Sequence, residues 1–315
     1  MKVLVTGAAG CIGRATVARL AAAGHAVRAV DRVAGAGGAG IEWTTADLSG
    51  ADAGGLLAGC DAVAHLAALV HRPDVRDPAS YRHANFELTR ALLDGARGAG
   101  ITPGRFVFSS TVGVYGRDHD LAADEDTVVD PRTPYARSKH DAERIVLDAG
   151  GVVMRFPVAY GPGDRGNVAQ LVRAIARGRF VLPGRCDAKR SLIASENAAA
   201  AFTRALEAPA PGGLYLVTDD DDRSVRSLAE AIGSALVPPV MVRTVPLLPV
   251  AAVAACGTFL GRLGLRIRVD LDALRKLTTP LTFSCERAKR VFGYVPAVRF
   301  EDAIRTAVRD VATRT

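Results

Sequence analysis

Aromatic side chains are scarce, 5% of the 315 residues, which argues against an aromatic-lined carbohydrate groove. Cysteine is sparse and scattered. Cys11, Cys60, Cys186, Cys256 and Cys285 include no CxxC pair, and their odd number argues against a disulfide framework. Neither His65 nor His71 stands at ligand-like spacing from a cysteine, so no metal centre is expected. Blocks of like charge are also missing: the 40 Lys and Arg and the 33 Asp and Glu are spread along the chain. No nucleic-acid partner is expected, although a net charge of +7 favours an anionic ligand. One uncharged stretch, Val245–Leu260 between Arg243 and Arg262, is slightly short for a membrane span, and Pro246 and Pro249 break its start. It is expected to form a buried or partner-facing helix rather than a membrane attachment. The chain opens directly on a strand-like run, Lys2-Val3-Leu4-Val5, so no signal peptide is expected and a reducing cytoplasm fits.

What is present is a chain long enough for a large domain and a smaller one, with 49% apolar residues to build the cores. In the first half, short apolar runs alternate with helical patterns. Val3–Val5, Ala26–Val30, Ala62–Leu66, Arg105–Ser109 and Val152–Arg155 read as strands, and Ile12–Ala23, Asn85–Arg97 and Tyr135–Ala149 as helices. This alternation predicts an α/β fold with a doubly wound parallel sheet over residues 1–157. Past Pro157 the rhythm changes to shorter elements between Pro/Gly turns. Residues 158–315 are expected to be mainly a smaller mixed α/β substrate domain, with some strands returning to the main sheet.

The first strand runs into Thr6-Gly7-Ala8-Ala9-Gly10-Cys11-Ile12-Gly13 and then a helix. Glycines at that spacing permit a tight strand-to-helix turn, a close approach of pyrophosphate to backbone N–H groups, and close helix–sheet packing. Asp31 ends the second strand, where a carboxylate accepts from both ribose hydroxyls of an adenosine and repels a 2′-phosphate. NAD is therefore expected over NADP, with Arg32 next door softening the preference. Asp47-Leu48 follows the third strand, where Asp47 either receives an adenine amino group or simply caps a turn.

Tyr135 and Lys139 stand four apart at the start of a helix and so share one face. A Lys ammonium beside a phenol lowers the phenol's pKa and suits it to move a proton between alcohol and ketone. Thr111, at a strand end, offers a hydroxyl to the same reacting oxygen. Ser109 and Ser110 either join it or only satisfy backbone groups at the strand end.

These landmarks, with His65-Leu66-Ala67-Ala68, Asn85, Ser109–Gly116 and Tyr160-Gly161-Pro162-Gly163, resemble the NAD-dependent epimerase/dehydratase family of extended short-chain dehydrogenases. The resemblance is strong over about residues 1–200 and recurs at Phe283–Ala303. It implies that Thr111, Tyr135 and Lys139 are catalytic. It further implies that Gly7, Gly10, Cys11, Ile12, Gly13, Asp31, Arg32, Asp47, Leu48, Leu66, Ala67, Ala68, Asn85, Tyr135 and Lys139 line an NAD site. Thr111, Tyr135, Asn167 and Arg190 would meet substrate, Arg190 as a bidentate fork on a diphosphate. The family's sugar dehydratases carry an acidic pair directly after the catalytic Thr. Here Val112 and Gly113 stand there, which disfavours dehydration. Val158 likewise replaces an Asn that the four-carbon epimerases often carry. The leading expectation is an NAD-dependent nucleotide-sugar epimerase or 4-keto reductase. The alternatives are a hydroxysteroid- or flavonoid-type ketone reductase, favoured if Val245–Leu260 lines a greasy pocket, and a non-catalytic dinucleotide sensor. A homodimer built on helices near 85–97 and 139–148 is a further expectation.

Overall fold

Val3, Leu4 and Val5 are all wholly buried, yet they face two different cores: Val3 and Val5 one way, Leu4 the other. That is the signature of a parallel strand covered on both faces. The computed structural model describes residues 1–70, 75, 77–116, 122–208, 211–262 and 271–314, with the side chains of 256–262, 272, 273 and 276 excepted. The first half runs β1 (Lys2–Thr6), α1 (Cys11–Ala22), β2 (Ala26–Asp31), β3 (Ile41–Thr45), α2 (Ala53–Leu57), β4 (Ala62–His65), α3 (Pro78–Arg82), α4 (Leu88–Gly98), β5 (Phe106–Thr111), α5 (Pro134–Asp148) and β6 (Val152–Phe156). Then come β7 (Val158–Tyr160), α6 (Asn167–Ala176), β8 (Val181–Pro183), β9 (Lys189–Arg190), β10 (Leu192–Ala194), α7 (Ser195–Glu207), β11 (Gly213–Leu216) and β12 (Arg223–Ser224). The chain closes with α8 (Val225–Ala235), β13 (Arg243–Val245), α9 (Leu247–Arg262), α10 (Leu271–Thr278), α11 (Glu286–Phe292) and α12 (Phe300–Thr313).

Seven strands form one parallel sheet in the order β11-β6-β5-β4-β1-β2-β3. Helices α1, α7 and α11 cover one face through Val17, Leu20, Phe202 and Phe292. Helices α2, α4 and α5 cover the other through Leu57, Leu92, Leu93, Ala142 and Val146. The fold is thus the doubly wound α/β arrangement. The order reverses between β1 and β4, and the carboxyl ends of the strands at such a reversal are where open α/β sheets form a ligand crevice. A second core gathers α6, α8 and α12 around Tyr160, Leu182, Leu192 and Phe300.

Two elements differ from expectation. The helix read as starting at Asn85 is preceded by α3. Asp77 caps α3 by accepting from Ala79 N and Ser80 N at 3.0 and 3.2 Å, and Pro78 fills its first turn. A wide π turn, His83–Glu87, joins α3 to α4. The Val245–Leu260 stretch does form a helix, α9, but its described side chains are not buried in the chain. Leu248 is 83% and Val253 58% exposed, and only Ala254 among Leu247–Ala255 is fully covered. Among the described residues no helix is long and apolar enough to cross a membrane.

Asn197 at the start of α7 ties the second core to the sheet. Its amide, itself buried, donates to Asp219 Oδ1 (2.7 Å) and Val298 O (3.1 Å) and accepts from Ala297 N (2.6 Å) and Val298 N (2.9 Å). Asn197→Ala leaves these groups unpaired and is expected to lower unfolding free energy by roughly 3 kcal/mol, measured by urea titration. A change under about 1 kcal/mol, the net value of one ordinary hydrogen bond, would show that water replaces the amide.

Candidate active site

The turn after β1 is built of backbone pressed on backbone. Gly7 has φ +69°, and a Cβ there would lie 2.7 Å from Ala67 N, in the loop that follows β4. At Gly13 a Cβ would lie 2.1 Å from Gly7 O. Gly10 caps α1 without any side-chain hydrogen bond, so the first N–H groups of that helix face the crevice with no side-chain competitor. This cradle fits a dinucleotide pyrophosphate. The loop Tyr160-Gly161-Pro162-Gly163 closes over the same turn, since a Cβ at Gly163 would meet Arg14 Cδ at 3.4 Å and Cys11 Cα at 3.6 Å. Burial, with Asp164 adding to it, pushes the Cys11 thiol up to about 12, so it stays protonated. Ile12 follows it in the first turn of α1, partly buried against the sheet.

Asp31, at the end of β2, accepts from Ala9 N through Oδ2 and from Val33 N through Oδ1, both at 3.0 Å. Its carboxylate therefore borders the glycine turn, and Arg32 beside it is exposed. Asp47 adopts the turn-capping alternative: Oδ1 accepts from Ser49 N (2.9 Å) and Oγ (2.7 Å), which holds the exposed carboxyl below its usual range. Leu48 packs against the α2/α4 core.

Beneath the turn runs a buried polar chain whose protons can be assigned. Thr89 Oγ1 donates to Asn85 O at 2.7 Å, so it must accept from His65 Nε2 at 2.9 Å. His65 Nδ1 then accepts from Thr6 Oγ1 at 2.6 Å, while Thr6 also accepts from Leu66 N and Ala67 N. Burial, helped by the Lys139 charge, pushes His65 down to about 3, which keeps this neutral tautomer. Ala68 follows in the same partly buried loop. Asn85 does not extend a free amide toward a ligand. Its Oδ1 accepts from Leu69 N (2.8 Å), and Nδ2 donates to Leu69 O (3.1 Å) and Ser138 Oγ (3.0 Å), pinning the Leu66–Leu69 loop to α5.

Helix α5 is started by Thr133, which accepts from Ala136 N at 3.1 Å, with Pro134 next. Tyr135 thus emerges in the first turn, over the end of β5, where the Thr111 hydroxyl, which accepts from Gly113 N at 3.0 Å, lies near enough to its phenol to pull its pKa down. The Tyr81 ring meets it edge-on at 6.3 Å. Lys139, one turn on, is 2% exposed. Its Nζ donates to Ser109 O at 2.5 Å and lies 3.9 Å from the Phe108 ring centroid. Ser109 therefore contributes its carbonyl here. Ser110 points elsewhere, donating to Glu143 at 2.5 Å.

The electrostatics correct one expectation. Burial, not the lysine, dominates the phenol and pushes Tyr135 up to about 12, with the Thr111 hydroxyl pulling the other way. Burial pushes Lys139 down to about 7, and Glu143 partly restores it. At neutral pH the protein alone holds a protonated phenol beside a lysine that is readily discharged.

The two expected substrate residues stand on the second core's elements. Asn167 is the exposed first residue of α6. Arg190 lies in β9, paired antiparallel with β12, and its guanidinium donates to Thr279 O at 3.1 Å. The interior groups the sequence reading did not single out are Glu143, Arg155 and Tyr81. Arg155 carried a signal: a charged residue inside an otherwise apolar buried strand needs a partner. Among the described residues no group of His, Cys, Asp or Glu could hold a metal ion. Cys11, Cys60, Cys186 and Cys285 are free thiols, while the side chain of Cys256 and all of His71 lie outside the described residues.

Residues 3–217 match the model of the NAD dependent epimerase/dehydratase family. The chain belongs to that family. As a family member it is an NAD-dependent enzyme of the epimerase and oxidoreductase type. It is 33% identical to a 2-alkyl-3-oxoalkanoate reductase of Stenotrophomonas maltophilia, over 97% of this chain and 98% of that one. It is 32% identical to a UDP-glucose 4-epimerase of Mycolicibacterium smegmatis, over 75% of this chain and 83% of that one. Its fold matches the crystal structure of Bacillus cereus UDP-glucuronic acid 4-epimerase in complex with NAD, with a TM-score of 0.79, 19% identity, and 99% and 97% of the two chains covered.

Two consequences can be measured. In Gly13→Ala the new methyl meets backbone rather than a yielding side chain. NAD affinity by calorimetry should fall at least about tenfold, or about 1.4 kcal/mol, and an unchanged affinity would show that the turn does not carry the cofactor. His65 is neutral when folded and protonated when unfolded below its ordinary 6.5. The unfolded state then binds the extra proton, so this contribution is complete above pH 6.5 and is lost as pH falls toward about 3. Urea midpoints should drop more steeply with acidification in the wild type than in His65→Gln, and parallel curves would remove His65 from the account.

Proposed function

We propose that this chain interconverts a ketone and a secondary alcohol with NAD(H), with Tyr135 as acid/base, and that its substrate is a 3-oxoalkanoate-like ketone. The observation that carries the chemistry is the meeting of Thr111, Tyr135 and Lys139 at the end of β5 and the start of α5. Bound NAD(H) supplies the hydride donor or acceptor. This chain's residues do the rest. The Tyr135 phenol, protonated at neutral pH, gives its proton to the carbonyl oxygen as negative charge develops there, and recovers it from solvent. Thr111 holds that oxygen at a fixed distance from the phenol. The Lys139 ammonium favours the transient phenolate, and Ser109 O orients it. In the cofactor cradle, Gly7, Gly10 and Gly13 carry the pyrophosphate, and Asp31 takes the adenosine ribose.

The substrate class rests on two supports. The reductase relative matches along essentially the whole chain. The first residues after β4, β5 and β6, Leu66–Val70, Val112–Gly116 and Pro157–Gly163, are also uncharged and include Val70, Val112 and Val158, with the charged residues Arg72, Arg117 and Asp164 further along each connection. A nucleotide sugar is the second reading, favoured by the 32% match to a UDP-glucose 4-epimerase. Against it, one terminal nitrogen of the Arg190 guanidinium is already turned to Thr279 O.

The test is turnover of a 2-alkyl-3-hydroxyalkanoate with NAD, followed by NADH absorbance, beside UDP-glucose assayed for its C4 epimer. Oxidation of the hydroxy acid is expected. Tyr135→Phe should lose about two to four orders of magnitude in rate while still binding NAD. Epimerisation of UDP-glucose with no attack on the hydroxy acid would establish the second reading instead.

A further inference from the structure

A second buried polar network, this one ionic, lies directly beneath the face of α5 that carries Tyr135 and Lys139. Glu143 follows Lys139 by four residues and Tyr135 by eight, so the three share one side of the helix. It is 1% exposed and accepts four hydrogen bonds. Arg155 of β6, itself 3% exposed, donates Nε to Oε1 at 2.9 Å and a terminal nitrogen to Oε2 at 2.7 Å. Ser110 Oγ donates to Oε1 at 2.5 Å, and His140 Nδ1 is 3.2 Å from Oε2. Ser110 sits between Ser109, whose carbonyl holds Lys139, and Thr111, whose hydroxyl lies near the Tyr135 phenol. One carboxylate is therefore bonded to the helix that carries two catalytic groups, to the strand that carries the third, and to the strand beyond. The Arg155 guanidinium lies 4.6 Å from the Tyr115 ring centroid, which fixes its plane.

A pair this deep costs desolvation, and an apolar pair of similar size would serve packing as well or better. Its position answers a different need. Resting on the proposed roles of Tyr135 and Lys139, we infer that Glu143, clamped by Arg155, is a positioning residue that locks the catalytic side of α5 to β5 and β6 and maintains a negative charge one turn from Lys139. The other titratable or charged groups facing this cluster are His65 from β4, Tyr81 from α3, Tyr115 beyond β5, Arg155 from β6, and Tyr135 and His140 from α5. His65 is held neutral by burial, and Tyr81 adds no positive charge. Glu143 is the group whose charge holds Lys139 up against burial, and the same charge holds the Tyr135 phenol up. Its loss should move both groups to lower pH together.

The test needs no substrate, so it stands apart from the choice between ketone and nucleotide sugar. Lys139 is titrated by competitive acylation with trace acetic anhydride, its peptide being quantified by mass spectrometry across pH. The wild-type midpoint is expected near 7. Glu143→Gln keeps the shape and removes the charge, and should lower that midpoint by at least roughly half a pH unit, as loss of a nearby opposite charge requires. Glu143→Asp should recover part of the shift. Should Glu143→Gln fail to fold because Arg155 is left unpaired, the double variant Glu143→Gln with Arg155→Met removes both charges and should show a smaller shift in the same downward direction, since Glu143 stands one turn from Lys139 and the loss of the Arg155 cation offsets only part of its effect. A Lys139 midpoint that stays at the wild-type value in a folded variant overturns the inference and leaves the pair as packing alone.

Discussion

The close approach of three backbone segments at Gly7 is the constraint on which the site depends. The turn after β1, the first turn of α1 and the loop after β4 come together there with no room for a single methyl group. That contact sets the distance between the anion-binding end of α1 and the Leu66–Leu69 loop. The loop is tied through Asn85 and Ser138 to α5, and so to Tyr135 and Lys139. The glycine turn and the Tyr135/Lys139 face of α5 are thus two ends of one connected structure. A displacement of either by an ångström would be felt at the other, because orientation supplies much of the rate in such reactions.

Two polar networks run under the crevice. One, through Thr6, His65, Thr89 and Asn85, is neutral and directional, with every proton assigned by its neighbour. The other, around Glu143 and Arg155, is ionic. Together they bracket α5 and hold the geometry of its Tyr135/Lys139 face. Directional hydrogen bonds between buried groups specify one arrangement more narrowly than apolar contacts do, although one terminal nitrogen of Arg155 has no hydrogen-bond partner among the described residues.

Much of this was legible in the sequence, for a physical reason. Parallel strands covered on both faces must be continuous apolar runs, so β1, β5 and β6 declare themselves. A glycine forced by a backbone clash leaves the same mark wherever it occurs, and residues four apart on a helix must share a face. What was not legible depends on residues brought from elsewhere. Asp77-Pro78 carried the start signal of α3, but the apolar periodicity begins only near Phe86, so the helix was read too late. The raised phenol of Tyr135 comes from burial under the protein, with Glu143 and Tyr81 adding to it, and no local spacing reports that. Asp47 caps its own turn through Ser49 two residues on, a local bond that the residue's place after β3 leaves equally open with ligand binding. Arg190 was placed by strand pairing between β9 and β12, thirty-odd residues apart in sequence, a contact that no motif encodes.

The seventh strand of the sheet, β11, follows the elements that open the second core, and it pairs with β6 on one side only. During synthesis, β6 is therefore an uncovered sheet edge until residue 216 has cleared the ribosome. The nascent chain must carry an apolar strand, Val152-Val153-Met154, with open hydrogen-bonding groups through some sixty further residues of translation. That interval is the stage at which pairing with another chain competes with folding, and chaperones that shield sheet edges would act on this protein there.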